Sequence, residues 1–148
     1  MKIPSKEPDF EVSLKNNHAG LAGAAKTLEN NPTFSCLPGD GQYAVSLVLD
    51  ELGSNVIRYG SGDGAEICMT LRFWVRNHEV VILFENEGPE FDPAGIPQPQ
   101  IDGEIDERKV GGLGIHLLKN YLDWIDSACQ DGKNQFLFKK TFNLQKDI

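Results

Sequence analysis

The order of apolar and polar residues predicts a strand and two helices in the first part of the chain. Apolar and polar residues alternate over residues 10–14, as they do in an edge strand. Residues 21–28 are rich in alanine and favour a helix, which Asn30-Asn31-Pro32 should end. A turn over residues 37–41 then precedes a long helix over about residues 42–59, and a glycine-rich loop follows it.

The middle of the chain predicts a β-hairpin followed by an irregular segment. Residues 66–75 and 79–84 have the composition of strands, and the short polar stretch at residues 76–78 indicates a tight turn between them. Regular periodicity is absent over residues 86–112, where glycine, proline and acidic residues dominate. A segment of this length inside a compact domain is usually a functional lid or a disordered loop.

The last part of the chain predicts a helix and a closing strand. Apolar residues recur there at helical spacing, at Ile115, Leu118, Leu122 and Ile125. Residues 135–142 then have strand character. The order of elements predicts an α/β (α+β) two-layer sandwich, with helices on one face of a mostly antiparallel sheet. We expect a single domain over residues 1–148.

The net charge of the chain limits the classes of partner that we expect. The 148 residues carry a formal net charge of −8, so nucleic acid is not expected as a partner, because phosphate backbones require a basic surface. A nucleotide remains compatible with this charge, since one Mg²⁺ and a few backbone amides can hold a triphosphate locally.

Other features of the sequence indicate a cytoplasmic protein with no membrane partner. No apolar run approaches the roughly 18 residues that span a bilayer, and the N-terminus lacks the apolar stretch of a secretory signal. Cys36, Cys68 and Cys129 lie far apart, form no metal-type pair and suit a reducing compartment. We expect them to be small buried hydrophobic residues.

The long helix carries a row of polar residues beside its apolar stripe. At about 100° per residue, the stripe gathers Val45, Val48, Leu49, Leu52 and Val56. The opposite, solvent-facing side should hold Gln42, Ser46, Asp50, Gly53 and Ser54. Glu51, Asn55 and Tyr59 are spaced by four residues and form a row along the edge of the stripe.

Two interpretations of this row remain open on residue chemistry alone. In the first, Asn55 hydrogen-bonds a neighbouring loop and Glu51 is a surface charge. In the second, Asn55 is an oxygen ligand of Mg²⁺, which prefers hard oxygen donors and keeps several waters. Glu51, one turn earlier, would then be placed to take a proton from a hydroxyl group.

The sequence Asp50-Glu51-Leu52-Gly53-Ser54-Asn55-Val56-Ile57-Arg58-Tyr59-Gly60 resembles the N-box of GHKL (Bergerat-fold) histidine kinase-like ATPase domains. In particular it resembles the E-x-x-x-N-x-x-x-[HY] version of the anti-sigma factor serine/threonine kinase branch. The resemblance implies a Bergerat ATP-binding fold, with ATP and Mg²⁺ as cofactors. It also implies that Asn55 coordinates magnesium and that Glu51 is the general base.

A second motif follows the predicted hairpin. Glu85-Asn86-Glu87-Gly88-Pro89-Glu90-Phe91-Asp92-Pro93 is similar to the D-x-G-x-x-F-D-P box of the same branch, whose first Asp binds the adenine amino group. Asn86 occupies that position here, and Gly88 would let the backbone approach the base. Asn86 keeps one carbonyl acceptor but replaces the other oxygen of an Asp with a donor and lacks its charge.

A third motif precedes the last helix. Gly112-Leu113-Gly114-Ile115-His116-Leu117-Leu118 resembles the G-L-G-[IL]-x-L-[VIL] signature of the family, which implies that Gly112 and Gly114 bind phosphate. Glycines before a helix expose backbone N–H groups where the helix dipole favours anions. Arg108 and Lys109, next to these glycines, are placed to contact phosphates.

Three functions are consistent with these motifs. The resemblance implies first a serine/threonine kinase that phosphorylates a STAS-domain anti-sigma factor antagonist, with a sigma factor as a further partner and a homodimer as its assembly. The second is a non-catalytic nucleotide- or partner-binding module that retains the GHKL fold, which Asn86 favours. The third is a detached histidine-kinase catalytic domain, which the Glu51-to-Tyr59 pattern disfavours.

Overall fold

The computed structural model describes residues 1–59, 65–88 and 116–142. Its elements follow in the order strand β1 (Phe10–Lys15), helix α1 (His18–Glu29), helix α2 (Pro32–Ser35), helix α3 (Gly39–Tyr59), and strands β2 (Cys68–Arg76), β3 (Glu79–Glu87), β4 (Trp124–Gln130) and β5 (Lys133–Thr141). Residues 116–121 are also helical and precede β4.

The strands form one sheet in the order β1-β2-β3-β5-β4, and every neighbouring pair is antiparallel. The strand β1 lies at an edge, as its alternating pattern predicted. The helices α1, α2 and α3 contribute side chains to a single core against one face of this sheet. The prediction of a two-layer α/β fold with an antiparallel sheet and helices on one face is therefore confirmed.

The core between sheet and helices follows the two periodicities of the sequence. On the three central strands every second side chain points into the core: Leu71, Phe73, Ile82, Phe84, Phe136 and Phe138. The predicted apolar stripe of α3 meets them and is buried along its whole length. Because the apolar face of the sheet and the apolar stripe of the helix pack together, α3 lies along the sheet with this one face inward.

The prediction that Gly53 faces solvent was wrong. Gly53 is buried, and a Cβ atom built on it would lie 2.8 Å from Cδ1 of Leu21 in α1. The helix α1 packs over this part of α3, and the missing side chain allows the two helices to approach closely. The apolar pattern of α3 alone does not reveal this second contact.

The opposite face of the sheet carries a smaller apolar cluster and a charged network. Trp74, Val81, Leu83 and Leu137 form the cluster, and Ile3 of the N-terminal segment packs against it. The Nε1 group of Trp74 donates a hydrogen bond to the backbone oxygen of Lys6 at 2.9 Å. Beside this cluster the guanidinium of Arg72 joins the carboxylates of Glu11 and Glu85.

The strand β4 was missed, and Ile125 was wrongly assigned to the last helix. Residues 116–121 are helical, whereas Ile125 lies in β4 and pairs with Phe138 of β5. The two strands are joined at Asp131 and Gly132, which have φ angles of 55° and 75°. Asp-Gly is the dipeptide that favours such a two-residue hairpin turn, so the signal was present in the sequence.

The elements near the N-terminus extend or supplement the predicted ones. Helix α1 begins at His18 because the side chain of Asn17 accepts a hydrogen bond from the backbone of Gly20 at 2.6 Å. Asn31 caps the short, unpredicted helix α2 in the same way. Helix α3 begins at Gly39, so its first turn includes part of the stretch predicted as a turn.

The prediction that all three cysteines are buried was wrong. Cys36 and Cys129 are exposed and Cys68 is half-buried, and all three are free thiols. Cys36 ends α2, and Cys129 lies near the end of β4, where side chains reach solvent. In the described part of the chain, no helix is long and apolar enough to cross a membrane.

Candidate functional site

Helix α3 holds Glu51 and Asn55 at the border between core and surface. Asn55 is only 8% exposed and lies next to the buried Val56, while Glu51 is half-buried one turn earlier. Within the described residues, nothing hydrogen-bonds to the side-chain amide of Asn55, and no side-chain nitrogen or oxygen is fully enclosed without a partner. The amide of Asn55 therefore reaches the edge of the core, where a ligand can contact it.

The carboxyl group of Glu51 has a raised pKa. Burial is the largest cause, because it penalises the charged form, and the neighbouring carboxylate of Asp50 raises the pKa further. The guanidinium of Arg58 opposes both effects. Burial also raises the pKa of Asp50. A carboxylate with a raised pKa accepts a proton more readily, which suits a general base.

The direction of α3 brings Asn55 to one end of the sheet. In the first turn of α3, a Cβ built on Gly41 would lie 3.4 Å from the ring of Phe142, just after the end of β5. Twelve residues later, Gly53 contacts α1, which begins at the other end of the sheet, directly after β1. The C-terminal half of α3 therefore lies over the end of the sheet where β2 begins and β3 ends.

Asn86 lies at this same end of the sheet and faces the helices. The structure extends β3 to Glu87, three residues beyond the predicted end of the strand, so Asn86 follows the core residues Ile82 and Phe84 on one face. It is 5% exposed, and its Nδ2 group donates a hydrogen bond to the backbone oxygen of Glu87 at 3.0 Å. Turning the amide over would place Oδ1 of Asn86 against the backbone oxygen of Glu87, and two acceptors repel each other. Oδ1 is therefore the atom that remains to accept a hydrogen bond from a ligand.

Sequence reasoning missed Asn134, which lies beside Asn86. Asn134 of β5 is 1% exposed and pairs directly with Asn86 of β3, so both amides are on the helix-facing side of the sheet. The signal was a polar residue at a core position, since Asn134, Phe136 and Phe138 share one face of the strand. Two buried amides thus lie side by side at the end of the sheet over which α3 ends.

Of the other site residues predicted from the sequence, the structure describes Gly88. Gly88 directly follows β3, is exposed and has a φ angle of 124°, a conformation that L side chains rarely adopt. A residue with a side chain would be strained at this position, and the role of Gly88 beside the base stays a prediction. Arg108, Gly112 and Gly114 lie outside the described residues, as does the predicted lid.

Comparison with known families decides the identity of the fold. The family model of the histidine kinase-like ATPase domain matches residues 14–140, which is most of the chain. The chain belongs to this family. As a histidine kinase-like ATPase domain it is an ATP-binding, kinase-like protein, in agreement with the motifs on α3 and at the end of β3.

The chain is also similar to a protein named as a serine/threonine-protein kinase. The chain is 26% identical over 95 residues to the serine/threonine-protein kinase BtrW of Bordetella bronchiseptica (strain ATCC BAA-588 / NCTC 13252 / RB50). The match covers 63% of this chain and 66% of the relative, slightly less than two thirds of its length. This is a likeness to one kinase over part of its length.

The residues of this histidine kinase-like ATPase domain fit a magnesium nucleotide. The described residues contain no group of three or more histidine, cysteine or acidic side chains that could hold a metal alone. Mg²⁺ needs no such group, because it binds through one or two protein oxygens together with phosphates and waters. The open amide oxygen of Asn55 is one donor of this kind, beside the half-buried carboxylate of Glu51.

Proposed function

We propose that this chain is an ATP-dependent serine/threonine protein kinase of the anti-sigma factor type. The observation that carries the proposal is the pairing on α3 of Glu51, whose pKa is raised, with the buried Asn55, whose amide has no partner among the described residues. A general base and an oxygen ligand one helical turn apart are the two groups that phosphoryl transfer to a hydroxyl requires from this helix.

The proposed reaction transfers the γ-phosphoryl group of ATP to a serine or threonine of a protein. A bond forms between the acceptor Oγ and phosphorus, the bond from phosphorus to the β-γ bridging oxygen breaks, and ADP leaves. Glu51 accepts the hydroxyl proton. Asn55 would hold Mg²⁺, which when bound neutralises phosphate charge. Asn86 would accept a hydrogen bond from the adenine amino group, Gly88 would allow the backbone to approach the base, and Gly112, Gly114 and Arg108 would contact the phosphates.

The proposed protein substrate is a STAS-domain anti-sigma factor antagonist. Phosphorylation of the antagonist would release it, and the chain, as a homodimer, would then capture a sigma factor or another effector by partner switching in the cytoplasm. The likeness to a serine/threonine-protein kinase supports a protein acceptor. The motif on α3 supports the anti-sigma branch.

The alternative is a non-catalytic nucleotide- or partner-binding module that retains the fold. The observation that favours it is the amide at Asn86, where the related motif has a carboxylate. The hydrogen bond from Nδ2 of Asn86 to Glu87 weighs against it, because it uses the donor and leaves the acceptor oxygen for adenine.

A phosphoryl-transfer assay separates the two functions. The purified chain is incubated with Mg-ATP and recombinant STAS-domain proteins from the same genome, and phosphorylated serine or threonine is located by mass spectrometry. We expect transfer by the wild type and a loss of at least about a hundredfold in kcat for Glu51→Gln, which is isosteric but cannot take the proton.

The control for this assay is Asp50→Asn, which removes a neighbouring carboxylate of the same helix that is not assigned a role as base. It should retain transfer within about tenfold of the wild type. Transfer that survives Glu51→Gln unchanged contradicts the assignment of the base. Mg-ATP binding without transfer to any STAS-domain protein supports the binding module instead.

A further inference from the structure

Two of the most exposed large apolar side chains of the described residues lie on neighbouring helices. Tyr43, in the second turn of α3, is 54% exposed, and Leu117, in the helical segment 116–121, is 47% exposed. Tyr121 joins them. Its ring meets that of Tyr43 edge-on at 4.8 Å, and it follows Leu117 by four residues on the same face of its helix. We call these three residues the tyrosine patch.

Tyr121 is the anchored member of the tyrosine patch. The hydroxyl of Tyr121 donates to the backbone oxygen of Asp40 at 3.1 Å and lies 3.4 Å from its carboxylate. The ammonium group of Lys140 lies 4.1 Å from the centre of the Tyr121 ring and donates to the Tyr121 backbone oxygen at 2.9 Å. An aromatic side chain fixed as that of Tyr121 is loses little conformational freedom on binding, and such residues often dominate protein interfaces.

The tyrosine patch continues toward the proposed active site. On α3, Asp50 and Ser54 lie within about 20° of the angular position of Tyr43, so they share one outward face. Glu51 follows Tyr43 by eight residues, or about 12 Å along the helix axis. Glu51 is also turned by about 80° from Tyr43 around the helix. A domain wider than this distance can contact Tyr43 while it presents a hydroxyl group to Glu51.

The charges around the tyrosine patch define the kind of partner. On the α3 side of the tyrosine patch Asp40 and Asp50 lie at the surface, on the other side Lys119 of the segment 116–121 is exposed, and the whole chain has a net charge of −8. The nearby Lys140 is already engaged with Tyr121. A complementary surface has an apolar side chain to contact Tyr43 and Leu117, with lysine or arginine on the side that faces α3.

We propose that the tyrosine patch docks the protein whose serine or threonine is phosphorylated, through an exposed apolar side chain flanked by basic residues. The proposal rests on the proposed kinase function for the identity of the occupant. It assigns the binding of the protein substrate to the start of α3 and to the segment 116–121, apart from Asn55 and Asn86.

The test compares the Michaelis constants of the two substrates. The double variant Tyr43→Ala/Leu117→Ala removes two side chains that are about half exposed and keeps Tyr121, and circular dichroism checks that it folds as the wild type does. We expect the KM for the STAS-domain protein that serves as substrate to rise about tenfold or more. The KM for Mg-ATP should stay within about twofold. An unchanged KM for the protein overturns the proposal, and a parallel rise in both constants shows a general structural effect and overturns it too.

Two controls locate the effect. Trp124→Ala removes another exposed aromatic side chain, 39% exposed, which lies on the opposite face of the sheet beside Lys139. It should leave both constants unchanged. Tyr43→Phe keeps the ring that contacts Tyr121, so its KM for the protein substrate should rise less than that of Tyr43→Ala. An equal rise in the protein KM for Trp124→Ala contradicts a local docking surface.

Binding of the same STAS-domain proteins, measured by calorimetry, separates failure of docking from failure of catalysis. If the wild type binds a STAS-domain protein without phosphorylating it, and the double variant binds it more weakly, the docking surface is supported and the kinase function is contradicted. Phosphorylation with a protein KM that the variant does not change contradicts docking alone. Absence of both binding and phosphorylation overturns both proposals. A wild-type dimer in sedimentation that the double variant dissociates shows that a second copy occupies the patch, and overturns this proposal.

Discussion

At the scale of single residues, the site depends on how far each polar group is buried. The sequence was sufficient to place Glu51 and Asn55 in one row on α3, because their spacing matches the helical repeat. It could not show that burial raises the pKa of Glu51, since that depends on the depth of the packing around it. It also missed Asn134, whose position beside Asn86 follows from the register of β3 and β5.

The first prediction concerns the pH dependence of the reaction. Glu51 acts as a base only when ionised, so kcat should rise with pH through a midpoint above the ordinary value of about 4.3. Asp50→Asn removes a like charge that raises the pKa of Glu51. We expect this variant to shift the midpoint of the kcat profile to lower pH. A midpoint that stays in place or moves to higher pH contradicts the electrostatic account of Glu51.

At the scale of elements, the strongly periodic segments were predicted and the short ones were not. The long helix α3 and the hairpin of β2 and β3 follow directly from their patterns. The strand β4 was missed because its side chains are mostly half-buried, so it lacks a clear alternation. The extension of β3 through Asn86 was also missed, because a polar residue at a core position interrupts the apolar run.

The second prediction tests the junction between β1 and α1. A Cβ on Gly20 would lie 2.6 Å from the backbone oxygen of Lys15, which cannot move without disturbing β1, whereas a Cβ on Gly23 meets nothing within 4 Å. Gly20→Ala should lower the free energy of unfolding by about 2 kcal/mol through strain. Gly23→Ala, on the same helix, should raise it by about 0.5–1 kcal/mol.

Denaturant unfolding of the two variants, followed by circular dichroism, measures these changes. Both variants replace a glycine of α1 by alanine, so the gain in helix propensity is common to them. The difference between their free energies of unfolding therefore reports the close contact at Gly20. Equal effects of the two substitutions contradict the close packing of α1 on the end of β1.

At the scale of the whole molecule, the architecture was predictable and the convergence of the site was not. Alternating strands, amphipathic helices and three motifs in order were enough to indicate an antiparallel sheet covered on one face by helices. Only the structure shows that α3 runs toward the end of the sheet where Asn86 and Asn134 lie. Contacts of this kind join residues far apart in sequence, so no local pattern encodes them.

The most direct test of the account is the affinity for ATP measured by calorimetry with and without magnesium. We expect the wild type to bind one ATP, more tightly with Mg²⁺ than with a chelator. Asn55→Ala should lose this magnesium-dependent increase and keep the affinity measured without metal, because the adenine-binding side of the site is intact. Ser46→Ala, a change on another face of α3, should behave as the wild type. No ATP binding by the wild type, or the same magnesium dependence in Asn55→Ala, would contradict the account.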